Sequence, residues 1–131
     1  MKTKKLKDIM TTKDKKAVKE IIKTYKKTFK DLGDYDKKSN KEFPLFEGCL
    51  KYFPNALRYV SHVSLKSNEQ HNPGEPLHWA KEKSTDEPDA LLRHLTEVAK
   101  GNEYDDDGLL HRGKIAWRAN AFLERYLENN K

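Results

Sequence analysis

"KSTDEPDALLRHLTEVAKG", residues 83–101, holds a start signal, an apolar stripe and a stop signal in one segment. At about 100° per residue, Leu91, Leu92, Leu95, Val98 and Ala99 fall on one side of a helix. Asp86, Asp89, Arg93 and Glu97 fall on the other, with His94 on the flank. Ser84 or Thr85 is placed to cap this helix, and Ser84 to Glu87 has the spacing of a capping box. Pro88 favours Thr85 as the cap, because proline is tolerated within the first turn and not beyond it. Gly101 supplies the C-terminal stop.

Working outward, the same helical period recurs. Upstream, Pro54 suits a first helical position, and Ala56, Leu57, Val60 and Val63 then form one face. Ser61, Ser64 and Asn68 make a narrow polar stripe that either lets another helix approach or lines a cleft. Between these helices lies "NEQHNPGEPLHW", residues 68–79, in which Pro73-Gly74 and Pro76 forbid regular structure and favour turns. Downstream, "NEYDDDG" reads as an acidic turn. A last helix follows over about 108–128, with Ile115, Ala119, Phe122, Leu123, Tyr126 and Leu127 as its buried stripe. Near the front, Thr12 or Thr11 caps a helix over about 13–31, carried by Ala17, Val18, Ile21, Ile22, Tyr25 and Phe29 and ended by Gly33. Residues 1–11 read as a loosely attached arm, 34–42 as a polar linker and 43–53 as an irregular apolar strip. No convincing strand competes. The expectation is an all-α fold: a small bundle of about four helices with one long ordered loop over 68–83. A Lys-rich arm and helix (1–41) precede the helical domain (42–131). Loops of that length in a compact domain are usually functional.

A length of 131 residues points to one modest core. With 37% charged and 35% apolar residues, part of the chain is expected outside it. The net charge of +6 is uneven: residues 1–41 hold 15 Lys against 6 Asp or Glu, so the remainder is net acidic. Such a segment attracts nucleic acid weakly and without sequence preference; it equally serves as a solvated helix. No apolar run of about 18 residues is present, so no membrane span is expected. Without a signal-peptide pattern, the cytoplasm is the default location. Cys49 is the only cysteine, which rules out internal disulfides and reads as a small buried hydrophobe.

The side chains with chemical capacity cluster after residue 68. Asp86 and Asp89, three apart on one helix face, can hold magnesium or manganese. They can equally favour the helix dipole, with Asp89, Arg93 and Glu97 forming a surface charge ladder. Among the histidines, His62 reads as a packing residue, and no pair has the spacing H-x-x-x-H. Trp79 either stacks on a base or pins the loop to the bundle, while Trp117 reads as core. There is no P-loop, G-x-G-x-x-G, G-x-S-x-G or Cys–His signature. If the chain is an enzyme, metal-assisted hydrolysis fits the remaining inventory best.

Three blocks, "FPLFEGCLKYFPNALRYVSHVS", "NEQHNPGEPLHWAKEKSTDEPDALLRHL" and "DDDGLLHRGKIAWRANAFLERYLE", resemble in order a domain of phage and bacterial proteins, the dATP/dGTP diphosphohydrolase N-terminal domain. The resemblance spans roughly residues 42–128. It implies kinship with the MazG-like all-α nucleotide pyrophosphohydrolases. These oligomeric enzymes use magnesium or manganese to cleave nucleoside triphosphates to monophosphate and pyrophosphate. Their E-x-x-E and E-x-x-D pairs are represented here by Glu69 and by D-x-x-D at Asp86 and Asp89. On this resemblance Glu69, Asp86 and Asp89 would bind metal. His71, His94 and His111 would orient phosphate or water, and Lys83, Arg93 and His78 would neutralise the triphosphate. Asn72 or Trp79 would contact the base. The implied substrate is dGTP or dATP, the implied assembly a homo-oligomer, and the location the host cytoplasm if the chain is phage-encoded. A non-catalytic helical module binding nucleotide, nucleic acid or a host protein is the alternative.

Overall fold

The computed structural model describes residues 9–30, 32–33, 35–83 and 85–130, without the side chains of residues 28–30. The first eight residues of the expected arm lie outside this range, as do Asp31 and Ser84 with its expected capping box. The described residues form helices and no strand. They are α1 (Thr12–Lys30), α2 (Ser39–Glu42), α3 (Pro54–His71), α4 (Glu87–Ala99) and α5 (His111–Asn129). Two compact units divide near residue 44.

In the first unit, α1 begins at a reciprocal cap. The Asp14 N–H donates to Thr11 Oγ1 at 3.1 Å, and the Thr11 N–H donates to the Asp14 carboxylate at 3.3 Å. Val18, Ile21, Ile22 and Tyr25 are exposed along this helix. The polar linker contains one turn of helix, α2, started where the Asp36 carboxylate accepts the Ser39 N–H at 2.7 Å.

In the second unit, α3 and α4 each pack on α5. The apolar strip forms a π-helical turn, Phe46–Leu50, and Pro54 then opens α3 as expected. The α3–α5 crossing is close because Gly113 has no side chain: a Cβ there would fall 2.4 Å from ring carbons of Tyr59. The Tyr59 hydroxyl accepts the Leu110 N–H at 2.8 Å, fixing the start of α5. Helix α4 ends as a Schellman motif. The Asn102 N–H reaches the Glu97 carbonyl at 2.9 Å and the Gly101 N–H the Val98 carbonyl at 3.0 Å, with Gly101 at φ +91°.

Four expectations need correction. The cap of α4 is Asp86 rather than Thr85, which leaves Pro88 in the first turn and turns Glu87 inward. The last helix starts at His111, not Gly108, because Gly108 takes φ +81° in a turn whose N–H bonds back to the Asp105 carbonyl at 2.9 Å. The long loop starts after His71, since α3 runs through residues 68–71. The expected buried stripes are in large part outward: Leu92, Leu95, Phe122, Leu123 and Tyr126 are 48–60% exposed. Buried apolar side chains among the described residues are Val63, Ala90, Leu109 and Ala121, while Glu87, His94 and His111 are buried with them. Helices α4 and α5 thus turn polar side chains toward each other. Cys49 is half-buried.

Candidate functional site

The long loop is held at two points. Asn68 is 6% exposed near the end of α3, and its amide donates to the backbone carbonyls of Glu75 at 3.1 Å and Pro76 at 3.3 Å. Asn72 donates in turn to Asn68 Oδ1 at 3.3 Å. At the far end, Trp79 meets Trp117 edge to face with ring centroids 5.6 Å apart. The Trp117 indole N–H donates to Ser64 Oγ at 2.7 Å. Arg125 reinforces the anchor: its guanidinium lies 5.8 Å from the Trp79 ring centroid and donates to the Lys81 carbonyl. Buried Glu87 faces Arg125 at 3.1 Å. Of the two roles open to Trp79, the structure shows the pinning contact. The α3 polar stripe does both: Ser64 and Asn68 line the cleft, and Ser64 also takes the hydrogen bond from Trp117 on the helix packed against α3.

Opposite the loop, the acidic turn folds back on α5. The Asp105 N–H donates to the Leu109 carbonyl at 2.8 Å, and the His111 N–H to the Glu103 carbonyl at 3.0 Å. This brings the Asp105 and Asp107 carboxylates each to 2.6 Å from Lys114 Nζ. Gln70 donates to Asp107 at 3.2 Å. The Lys114 ammonium holds the Asp105 carboxyl down at about 2, against the opposition of burial. Burial also works against ionised Asp107, but Lys114 and the Leu109 N–H outweigh it and its pKa falls. Burial pushes Lys114 down; its two carboxylates prevail and raise it.

Two buried imidazoles stand beside this cluster. His94 Nδ1 and His111 Nδ1 are 2.9 Å apart. Burial, and then the neighbouring Arg93 charge, lower the pKa of His94. His94, Asp105 and His111 present ligand atoms that all lie within 4.8 Å of one another, a grouping with metal-site spacing.

Loop, helices and acidic turn enclose a cleft of about 830 Å³. His71, Asn72, His78 and Trp79 line it from the α3 end and the loop, and Lys83, Arg93 and His94 from around α4. His111 stands behind, in contact with His94. The three carboxylates expected to share a metal are not brought together. Glu69 is exposed and paired with Lys66 at 3.0 Å. Asp86 is an exposed helix cap 3.9 Å from Arg118, and Asp89 is exposed on α4. Sequence reading passed over Asp105, Asp107, Lys114 and Arg118 as cleft residues. The available signal was three successive acids ahead of Gly108 and His111, which place carboxylates at the mouth of a helix.

The second unit is therefore an all-α domain built around a polar cleft that carries cationic, imidazole and carboxylate side chains together. The chain belongs to the family described as dATP/dGTP diphosphohydrolase, N-terminal, which matches residues 33–131. No curated protein and no solved structure matches it.

Proposed function

We propose that the cleft binds and hydrolyses a purine (deoxy)nucleoside triphosphate, dGTP or dATP, to the monophosphate and pyrophosphate. The observation that carries this reading is the cleft lining: Lys83, Arg93 and Arg118 stand in one enclosure with Asp105 and three histidines, beneath a family name that is that of a hydrolase. Cationic side chains in a partly enclosed site neutralise a polyphosphate and stabilise charge that develops on the leaving pyrophosphate. Water adds to the α-phosphorus and the bond to the β-phosphate oxygen breaks. His71 and His94 orient phosphate or water, with His111 acting through His94. Trp79 offers the base an aromatic wall. Asp105 would help to hold a divalent cation at the cleft wall, which would polarise the phosphate.

The outward apolar faces of α4 and α5 support self-association. Five large apolar side chains more than two-fifths exposed, Leu92, Leu95, Phe122, Leu123 and Tyr126, form a surface that a second copy would cover.

Pyrophosphate release from a panel of deoxy- and ribonucleoside triphosphates with magnesium or manganese tests the reading. Wild type should release pyrophosphate from a purine nucleotide, and Arg93→Ala and Asp105→Asn should each lose most of that rate. Retained activity in Asp105→Asn with loss in Asp89→Ala would move the chemistry to the helix carboxylates. No release by folded protein would favour a binding module.

A further inference from the structure

We propose that His94, Asp105 and His111 together bind one transition-metal dication of the manganese, cobalt and zinc class, in preference to magnesium. Three independent pieces of the fold converge to make the set: α4 supplies His94, the acidic turn Asp105 and the first residue of α5 His111. Their ligand atoms lie within 4.8 Å of one another, and the two imidazole Nδ1 atoms are 2.9 Å apart. Two nitrogens each about 2.1 Å from one ion, at right angles, are about 3 Å apart. The imidazole pair, which here shares a hydrogen bond, therefore lies at the spacing of adjacent positions on an octahedral ion.

The donor set decides the class of ion. Two nitrogens and one carboxylate oxygen suit later first-row dications, whereas magnesium demands oxygen ligands in a near-ideal octahedron. The surroundings also favour ligation. Asp105 Oδ2 accepts from Lys114 at 2.6 Å and Oδ1 from the Asp106 N–H at 2.8 Å, which fixes the carboxylate plane while leaving a lone pair on each oxygen. Both imidazoles are buried, His94 to 4% and His111 to 5% exposure, so little rotamer freedom is left to lose on binding. Because His94 and Asp105 also line the cleft, an ion held there would keep positions open toward it for water or a phosphate oxygen. Three protein ligands leave that room.

The test uses the full chain without nucleotide, so its outcome is separate from the hydrolase reading. Titrating with Co²⁺ and following visible absorption should show one equivalent bound. Zn²⁺ should displace it and a hundredfold excess of Mg²⁺ should not. Asp105→Asn and His111→Gln, shown by circular dichroism to stay helical, should each weaken binding about tenfold or more. The proposal is overturned by folded wild type that binds no Co²⁺ or loses it equally to Mg²⁺. It is overturned too by binding that survives in both variants, or that is lost instead in Asp86→Asn or Asp89→Asn.

Discussion

Gly113 on α5 lies against the ring of Tyr59 on α3, so close that a methyl group in place of its hydrogen would sit 2.4 Å from two ring carbons. Alanine is the better helix former by about 1 kcal/mol, so an unpacked position would gain from Gly113→Ala. Here the ring is also tied through its hydroxyl to the Leu110 N–H and has little freedom to withdraw. Overpacking of this kind costs about 1–3 kcal/mol. The variant should melt lower than wild type; an unchanged or raised melting temperature would show that the crossing is loose.

Asn68 grips the loop by donating its side-chain amide to two backbone carbonyls. Asn68→Asp replaces the donor by an acceptor and leaves those carbonyls facing a buried carboxylate. A loss of about 1–3 kcal/mol of stability is expected, with faster proteolytic cleavage within residues 72–80. Cleavage at the wild-type rate would mean that the tryptophan pair alone holds the loop.

Glu87, 2% exposed, faces Arg125. Removing one member of a buried charge pair costs about 3–5 kcal/mol, since the other stays behind in a poor solvent. Arg125 is partly exposed, so the lower end is expected for Glu87→Gln, and the Lys81–Trp79 end of the loop should loosen with it. Denaturant titration reads the first effect and Trp fluorescence the second.

Acid should weaken the fold in two steps. Above the ordinary histidine value of 6.5 the His94 ring is neutral folded or unfolded, and full stability is present. Its folded pKa is lowered, so below 6.5 the unfolded chain takes up the proton first and stability declines as the pH falls. Asp105 follows: its contribution stands above the unfolded value of 3.8 and is lost as the pH drops to about 2. Thermal melts with chelator present, from pH 8 to about pH 2, should show both declines. Stability that rises between pH 7 and pH 5 would contradict the first.

If the apolar faces of α4 and α5 meet a second copy, Leu95→Glu and Phe122→Glu should shift the mass measured by light scattering toward monomer. A wild-type monomer at all concentrations would remove the self-association reading.

The helices were legible because their signals are local. Period, Pro54, Pro88 and the Gly101 stop each act within a few residues, and the chain obeys them. Which face of a helix is inward is not a local property. The apolar stripe through Phe122 and Leu123 read as buried, yet α5 turns His111, Gly113 and Ala121 inward, because the crossing with Tyr59 and the pairing of Glu87 with Arg125 set its rotation. The loop residues Asn72, His78 and Trp79 stood out by composition and His94 through the family resemblance, and all four line the cleft. Asp105 and Lys114 did not, since their meeting depends on a turn folding back by nine residues.

Beyond Asn72, the brace at Asn68 touches only main chain of the loop, through its amide N–H groups. Carbonyl oxygens are present whatever side chains accompany them, so beyond the turn that Gly74 makes at φ +82° the course of the loop between Asn72 and Trp79 does not depend on the identities of residues 75, 77 and 78. Relatives keeping the asparagine and the tryptophan pair are free to exchange those side chains one at a time, retuning what the cleft accepts while its frame stays put.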